Sequence, residues 1–263
     1  RDLAVRGVFM DIDDTLTLGG KLDPEAFRAL AELQRAGFLV VPVTGRPAGW
    51  CDLIARQWPV SGVIGENGAF AFYEHGGTLK QLFHPLVLGS TGADTLADVR
   101  ARLDQVRDTI LERVPGSRVA KDQPYRLFDL AIDFREEAPD LGLEAAERIR
   151  AVFEEFGAHA KVSSIHVNGW FGDYDKLSMS ALYGTEVLGV DLAPERERFV
   201  FVGDSPNDAP MFEFFPHSVG VANVRRFEGR LAAEPTYVTR AEGGAGFAEV
   251  AHALLERGVA LPN

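Results

Sequence analysis

The feature that most constrains the fold is an apolar segment that ends in closely spaced carboxylates. Residues 8–10 are Val-Phe-Met, and Asp11, Asp13 and Asp14 follow directly. Side chains alternate along an extended chain, so Asp11 and Asp13 emerge on the same side, about two residue rises apart. Like charges this close need a cation or must share a proton. The segment therefore predicts a buried strand whose carboxyl end carries chemistry.

Two simpler interpretations of this segment compete with the catalytic one. An Asp-rich strand end can be a solvated turn, because Asp tolerates irregular backbone. A calcium-binding EF-hand loop counted from Asp11 is excluded, because Leu16 stands where the loop needs glycine and Leu22 where it needs glutamate. The turn interpretation stays open on this segment alone, so the assignment depends on the rest of the chain.

Three further segments place polar groups behind apolar strands or at the start of a helix. Thr44, Gly45 and Arg46 follow the strand predicted at 38–43, and Lys176 begins an apolar helical pattern. Asp204, Asn207 and Asp208 follow the apolar residues 199–202. Ligands in open α/β sheets bind outside the carboxyl ends of strands. These groups are therefore predicted to meet in one cleft.

In this order, the four segments resemble the signature motifs of the haloacid dehalogenase (HAD) superfamily. They read Asp-x-Asp-x-Thr, Thr-Gly-Arg, a lone lysine and Gly-Asp-x-x-Asn-Asp, and the match spans residues 7 to about 250. One departure is visible, since many members carry Gly where this chain has Asp14. The resemblance implies an α/β fold with a Rossmann-like core, in which helices cover both faces of a parallel sheet.

The order of predicted elements divides the chain into a core and an inserted cap. Strands and helices alternate up to residue 84 and again after residue 173, which favours a parallel sheet. Between them, helices are predicted at 94–113 and 141–156 and extended segments at 117–121, 127–134 and 160–171. We therefore predict a catalytic core at 1–84 and 173–263 and an α+β cap at 85–172. Its position resembles the HAD subgroup that includes sucrose-phosphate phosphatase, mannosyl-phosphoglycerate phosphatase and phosphomannomutase.

The resemblance also implies roles for individual residues. Asp11 would attack phosphorus and form an aspartyl-phosphate. Asp13 would protonate the leaving alcohol and then activate water, so it would have to hold a proton while Asp11 is ionised. Thr44, the Gly45 backbone N–H and Lys176 would stabilise charge on the phosphoryl oxygens.

A bound metal ion is expected to neutralise the clustered carboxylates. Four carboxylates in one cleft repel each other, and Mg²⁺ is the usual partner for carboxylates plus a substrate phosphate. The resemblance implies that Asp11, the backbone carbonyl of Asp13 and Asp204 hold it. Asp208 is the expected additional metal ligand, and Asn207 is expected to support the metal or the phosphate.

The remaining polar positions carry weaker predictions. Arg46 could reach the substrate or the cap, or form a surface salt bridge. His166 and Asn168, on a late cap strand, share one face and are candidates to overhang the cleft. Residues 66 and 67 are interpreted as structural, and the solvated positions are expected to be Lys121, Arg126 and the loop 135–137.

Composition is consistent with a soluble, cytoplasmic enzyme. The 263 residues are 46% hydrophobic and include a single cysteine, which rules out an intramolecular disulfide. A net charge of −12 argues against a nucleic-acid partner, and no apolar run approaches the ~20 residues that cross a bilayer. The expected partner is a small phosphorylated substrate, while the sequence leaves the choice between monomer and dimer open.

The predicted function is a Mg²⁺-dependent phosphatase acting on a small phosphorylated metabolite, with sugar phosphates the favoured class. One alternative is a phosphomutase of the phosphomannomutase type on the same scaffold. Another is a catalytically silent binding protein that keeps the fold. The segment Gly-Asp-Ser-Pro-Asn-Asp resembles the phosphatases more than the mutases, and every position that the chemistry needs holds the required residue type.

Overall fold

A computed structural model describes residues 5–89 and 94–257. In chain order its strands are β1 (Gly7–Met10), β2 (Thr17–Leu18), β3 (Lys21–Leu22), β4 (Leu39–Pro42), β5 (Val63–Gly65), β6 (Phe70–His75), β7 (Thr78–Phe83), β8 (Arg118–Val119), β9 (Asp129–Asp133), β10 (His159–Val162), β11 (His166–Trp170), β12 (Phe199–Gly203), β13 (His217–Gly220) and β14 (Tyr237–Val238). The α-helices are α1 (Pro24–Arg35), α2 (Ala48–Gln57), α3 (Leu96–Arg113), α4 (Gly142–Glu155), α5 (Lys176–Tyr183), α6 (Leu192–Glu195), α7 (Ala209–Phe214) and α8 (Gly243–Arg257). Among these residues, no helix combines the length and the apolar character needed to cross a membrane.

The core is built on a five-stranded parallel sheet in the order β14-β13-β12-β1-β4. Successive residues of β1 enter different hydrophobic cores, because side chains alternate across a sheet. Val8 and Met10 pack in the core that includes residues of α1, α2 and α8, whereas Phe9 packs with residues of α5, α6 and α7. Helices therefore cover both faces, and the predicted α/β fold with a Rossmann-like core is confirmed.

Strand β1 occupies the position that brings the sequence motifs together. It lies between β4 and β12, with Phe9 paired to Val41 on one side and to Phe201 on the other. All three strands run parallel, so their carboxyl ends open at the same edge of the sheet. The segments that begin at Asp11, Thr44 and Asp204 consequently meet there.

A second, antiparallel sheet has its own hydrophobic core. Its order is β10-β11-β9-β8, and α3 and α4 pack against it. Every buried residue of this core falls between Val99 and Phe171, within the predicted cap. The exact domain boundaries, 84/85 and 172/173, stay a prediction.

One cap element differs from its prediction. The segment 160–171, predicted as one extended stretch, forms two strands, β10 and β11, that pair antiparallel. Ser163 closes the turn, because its backbone N–H donates to the His166 carbonyl at 2.8 Å and its hydroxyl accepts from the His166 N–H at 3.0 Å. A polar turn at Ser163-Ser164 therefore interrupts what the residue pattern presents as continuous.

A buried glutamate joins the core to the cap. Glu66 follows β5, and its carboxylate accepts the backbone N–H groups of Leu127, Phe128 and Asp129 at 2.8, 2.6 and 3.2 Å. It also accepts the N–H of Ala48, at 3.1 Å, at the start of α2. Burial, reinforced by the nearby Asp129, raises the pKa of Glu66 to about 8. Glu66 thus has a structural role, as predicted, and in addition its hydrogen bonds brace the cap against the core.

We expect Glu66→Ala to lower the free energy of unfolding by about 3 kcal/mol or more, because each buried donor left without an acceptor costs ~1–3 kcal/mol. Urea denaturation followed by circular dichroism measures the loss. Glu74→Ala, at an exposed position of β6, is the control and should stay within about 0.5 kcal/mol of wild type. Equal stability of the two variants would show that the brace contributes nothing.

Candidate active site

Three buried carboxylates gather at the carboxyl ends of β1 and β12. Oxygen atoms of Asp11, Asp204 and Asp208 all lie within 4.8 Å of one another. Asp11 is held by the sheet, since its backbone N–H donates to the Val202 carbonyl at 2.9 Å. Asp208 turns back toward the strand end and accepts the Asp204 N–H at 3.0 Å. We call these three residues the acid cluster.

Lys176 supplies positive charge to the acid cluster. Its ammonium lies 3.1 Å from Asp11 Oδ1 and 2.7 Å from Asp208 Oδ1, and its side chain is 5% exposed. The helix that carries it begins at a well-formed cap, because the Asp175 carboxylate accepts the Ser178 N–H at 2.7 Å. Burial alone would lower the pKa of Lys176, but Asp11 and Asp208 raise it more, so the lysine stays charged.

One ammonium cannot neutralise the charge of three carboxylates, and the pKa values of two of the acids are raised. Burial raises the pKa of Asp11 to about 7, opposed by Lys176 and reinforced by Asp208 and Asp13. Burial also raises the pKa of Asp204 well above its ordinary value, and Asp208 and Asp11 add to the shift. The acid cluster therefore requires a further positive charge, either protons or a cation. An all-oxygen ligand set fits a hard divalent ion.

Asn223 orients the acid cluster, and sequence reasoning did not identify it. Its side-chain amide donates to the backbone carbonyl of Asp14 at 2.8 Å and lies 3.4 Å from Asp204 Oδ2. Asn223 sits in a short 3₁₀ segment after β13, far from any of the four motifs in sequence. A lone asparagine in an irregular segment carries no pattern that could have revealed this contact.

Thr44 and Gly45 lie at the end of β4, beside the acid-bearing strand. The Thr44 hydroxyl is buried and accepts the Arg46 backbone N–H at 3.0 Å. Gly45 is closely surrounded, since a Cβ there would lie 3.1 Å from Asn67 Nδ2 and 3.5 Å from Asn168 Oδ1. A side chain at this position would therefore crowd the Asn67 amide. Their phosphate-binding roles stay predictions.

Arg46 connects the core to the cap through three acids. Its guanidinium contacts both carboxylate oxygens of Asp13 at 2.9–3.1 Å. It also contacts Asp122 at 3.2 Å and Glu136 at 2.9 Å, both in the cap. Arg46 is only 3% exposed, so the interpretation as a surface salt bridge is wrong. The alternative prediction, that Arg46 contacts the cap, is confirmed. We call Arg46 with these three acids the Arg46 clamp.

The cap candidates His166 and Asn168 are buried and paired within the cap. His166 Nε2 lies 2.7 Å from Glu136 Oε2, and the Asn168 amide donates to Asp129 Oδ2 at 2.8 Å. Asn207, in the turn before α7, accepts the Ser205 hydroxyl at 2.7 Å. Nothing in these contacts tests a role in binding substrate, which stays a prediction for all three residues.

One charged residue predicted to be solvated belongs to the interior instead. Arg126 is 6% exposed and forms ion pairs with Asp122 at 3.0 Å and Asp129 at 2.9 Å. It also donates to the Gly45 carbonyl at 2.8 Å. Lys121 and the loop 135–137 remain at least partly exposed, although Glu136 also joins the Arg46 clamp. The correction for Arg126 arises because the cap folds onto the core, a long-range contact that local residue patterns do not encode.

Asp204 of the acid cluster and Asp13 of the Arg46 clamp open onto a cleft between the core and the cap, with a volume of about 650 Å³. That volume suits a small metabolite. The core contributes Asp13, Asp14, Asp204 and Asn223, and the cap contributes Arg135, Glu136, Ser164 and Ile165. The acid cluster, the Arg46 clamp and the cleft thus form one continuous site.

Comparison with known proteins agrees with this architecture. The sequence model of the haloacid dehalogenase-like hydrolases matches residues 8–85, which carry the first two motifs and the hairpin after them. A search of curated proteins found no match. The resemblance of the motifs to the HAD superfamily is thereby confirmed, and the chain has a HAD-like hydrolase fold with a cap.

Solved structures share this fold across nearly the whole chain. Protein 0175 of Thermoplasma acidophilum is 18% identical, with a TM-score of 0.69 over 96% of this chain and 99% of that one. The sucrose-phosphatase of Synechocystis sp. PCC6803, solved with sucrose and phosphate, is 15% identical, with a TM-score of 0.64 over 95% and 98%. A trehalose-6-phosphate phosphatase related protein is 16% identical, with a TM-score of 0.59 over 95% and 97%. At these identities the likeness establishes the fold.

We expect Arg46→Gln to lower the free energy of unfolding by about 3–5 kcal/mol, because removing one partner of a buried ion pair leaves the other charges uncompensated. Urea denaturation measures this loss, and hydrogen exchange should report faster opening of β9. Arg56→Gln, on helix α2, removes an exposed pair with Asp52 and should cost less than ~1 kcal/mol. Similar losses in both variants would contradict the assigned importance of the Arg46 clamp.

The pH dependence of stability should report on Glu136. The hydrogen bond with His166, with Arg46 adding to it, lowers the pKa of Glu136 from 4.5 to about 2. Because the folded-state pKa is depressed, this stabilisation is fully present above pH ~4.5 and is lost as pH falls toward 2. The stability difference between wild type and Glu136→Gln should therefore be constant above about pH 5.5 and shrink between pH 4.5 and 3. Denaturant titrations across this range measure it, and a difference that grows on acidification would contradict the assignment.

Proposed function

We propose that the protein is a Mg²⁺-dependent phosphatase that hydrolyses a small phosphorylated metabolite of the sugar-phosphate class. The observation that carries the proposal is the acid cluster, which is paired with Lys176 and borders a core–cap cleft through Asp204. Such a site combines a carboxylate nucleophile, a place for a divalent ion and a fixed cation for phosphoryl oxygens. The sugar-phosphatases among the structural neighbours support the substrate class.

Asp11 is the proposed nucleophile. It attacks phosphorus and forms an aspartyl-phosphate while the P–O bond to the substrate alcohol breaks and the alcohol leaves with a proton from Asp13. Water, deprotonated by Asp13, then hydrolyses the intermediate and releases inorganic phosphate. Lys176 already lies 3.1 Å from Asp11 Oδ1, so its ammonium can orient the carboxylate and neutralise oxygens of the transferring group. Thr44 and the Gly45 N–H complete the set of donors at the neighbouring strand end.

The proposed metal ligands are the acid cluster together with the backbone carbonyl of Asp13. When bound, Mg²⁺ would neutralise the carboxylates and the substrate phosphate, so that two anionic groups can approach each other. The raised pKa values of Asp11 and Asp204 support this assignment, because they show that the protein alone leaves the acids undercompensated.

Asp13 is the proposed acid and base, and its contacts set a condition on that role. The Arg46 guanidinium engages both of its oxygens. A carboxyl group that donates a proton to a leaving alcohol must face that alcohol. Arg46 therefore has to release at least one oxygen of Asp13 when the substrate binds.

Asp11→Asn should abolish Mg²⁺-dependent release of phosphate from a panel of phosphorylated metabolites, because an amide is not a competent nucleophile. Released phosphate is measured with and without EDTA. The matched control is Asp14→Asn, which keeps a left-handed backbone position (φ 55°) that Asn tolerates. The control should retain most of the activity.

If Asp11→Asn hydrolysed substrate near the wild-type rate, the proposed mechanism would be wrong. A requirement for a sugar bisphosphate activator, with transfer of phosphate between substrate positions, would instead identify a phosphomutase. Absence of any phosphate release by the wild-type protein across the panel would contradict the proposed function itself.

A further inference from the structure

The site contains a buried amide donor that the mechanism above does not use. Asn67 is 3% exposed, and its Nδ2 atom has no hydrogen-bond partner among the described residues. An unsatisfied buried donor costs ~1–3 kcal/mol, and nearly all buried polar groups in proteins have a partner. The position of Asn67 therefore indicates a missing acceptor.

The backbone around Asn67 is held in an unfavourable conformation. Glu66, Asn67 and Gly68 have consecutive positive φ angles of 45°, 55° and 111°. For residues other than glycine, such conformations cost on the order of 1–3 kcal/mol and concentrate at functional sites. The turn is thus fixed by its surroundings and is not a relaxed hairpin.

Those surroundings are the two segments that carry the proposed phosphate-binding groups. The Asn67 backbone N–H donates to the Thr44 carbonyl at 3.0 Å, and Asn67 Nδ2 lies 3.1 Å from the place of a Cβ on Gly45. On the other side, Gly68 packs so closely on the start of α5 that an added Cβ would collide with the Asp175 carbonyl. Asn67 therefore lies between the Thr44-Gly45 segment and the start of the helix that carries Lys176.

A cavity of about 10 Å³ lies at this point and is lined by Asn67, Lys176 and Asn207, among others. That volume holds one atom the size of a water oxygen. Two lysines, Lys161 and Lys176, and the Asn67 amide thus line a space that admits a single oxygen, and Lys176 also contacts the acid cluster.

We propose that the Asn67 side-chain amide donates a hydrogen bond to an oxygen of the transferring phosphoryl group. This inference rests on the proposed function, because it assigns the phosphoryl group to the same site. Asn67 contributes a neutral donor whose charge does not change with pH. It is a substrate-contacting residue, whereas the sequence alone suggests only a role in the hairpin.

The test uses two substitutions with inorganic phosphate and orthovanadate as probes. Asn67→Gly removes the amide and keeps the left-handed backbone. Asn67→Asp keeps the shape of the side chain and replaces the donor with an acceptor. Isothermal titration calorimetry in the presence of Mg²⁺ should show weaker binding of both probes, on the order of 10- to 100-fold for Asn67→Gly and more for Asn67→Asp.

Tyr174→Phe is the matched control. Among the described residues, the Tyr174 hydroxyl is the other buried side-chain polar atom that has no hydrogen-bond partner. Tyr174 does not line this cavity. Removing that hydroxyl should leave the affinity for both probes unchanged. The ligand-free melting temperature of Asn67→Gly should not fall through loss of a hydrogen bond, because the amide nitrogen has no partner to lose.

The outcomes separate this inference from the proposed function. Wild-type affinity of Asn67→Gly for both probes would mean that the amide holds a structural water only, and failure of both Asn67 variants to fold would assign Asn67 to the turn alone. Either result overturns the inference. If the wild-type protein binds the probes but hydrolyses no phosphomonoester, the proposed function fails, while weaker binding by Asn67→Gly still supports the contact.

Discussion

Mutual repulsion of buried carboxylates is the constraint on which the rest of the structure depends. The acid cluster sits at the ends of two hydrophobic strands, where burial penalises every charge. Lys176 offsets part of that penalty and is itself kept charged by the acids it contacts. The parallel sheet, the helix cap at Asp175 and the turn at 66–68 all serve to hold these groups close enough for the interaction to be strong.

A second electrostatic arrangement attaches the cap to this centre. The Arg46 clamp joins one core acid to two cap acids, and Arg126 adds ion pairs and a bond to the Gly45 carbonyl. Glu66 completes the attachment by binding three consecutive cap N–H groups. Arg46 belongs to a motif, Arg126 contacts Gly45 of the same motif, and Glu66 accepts the N–H of Ala48 just after it. The position of the cap is therefore coupled directly to the geometry of the site.

The sequence predicts the core and its motif residues well and the cap contacts poorly, for a physical reason. Strands of buried apolar residues followed by Asp11, Thr44 and Asp204 have local patterns, and a parallel sheet brings their ends together. Arg126 and Asn223 lie in irregular segments, where polar character alone suggests exposure. Arg126 is buried because the cap packs on the core, and Asn223 because the segment after β13 packs against Asp14 and Asp204; no local periodicity records either contact.

The Arg46 clamp and the proposed chemistry make opposing demands on Asp13. The Arg46 guanidinium engages both oxygens of this carboxylate. Proton donation to a leaving group requires an Asp13 oxygen that faces the substrate. Glu136 and Asp13 already share one Arg46 nitrogen, Nη2, and Asp122 accepts from Nη1. A shift of Arg46 toward the two cap acids would free Asp13, so the same arginine links the position of the cap to acid catalysis.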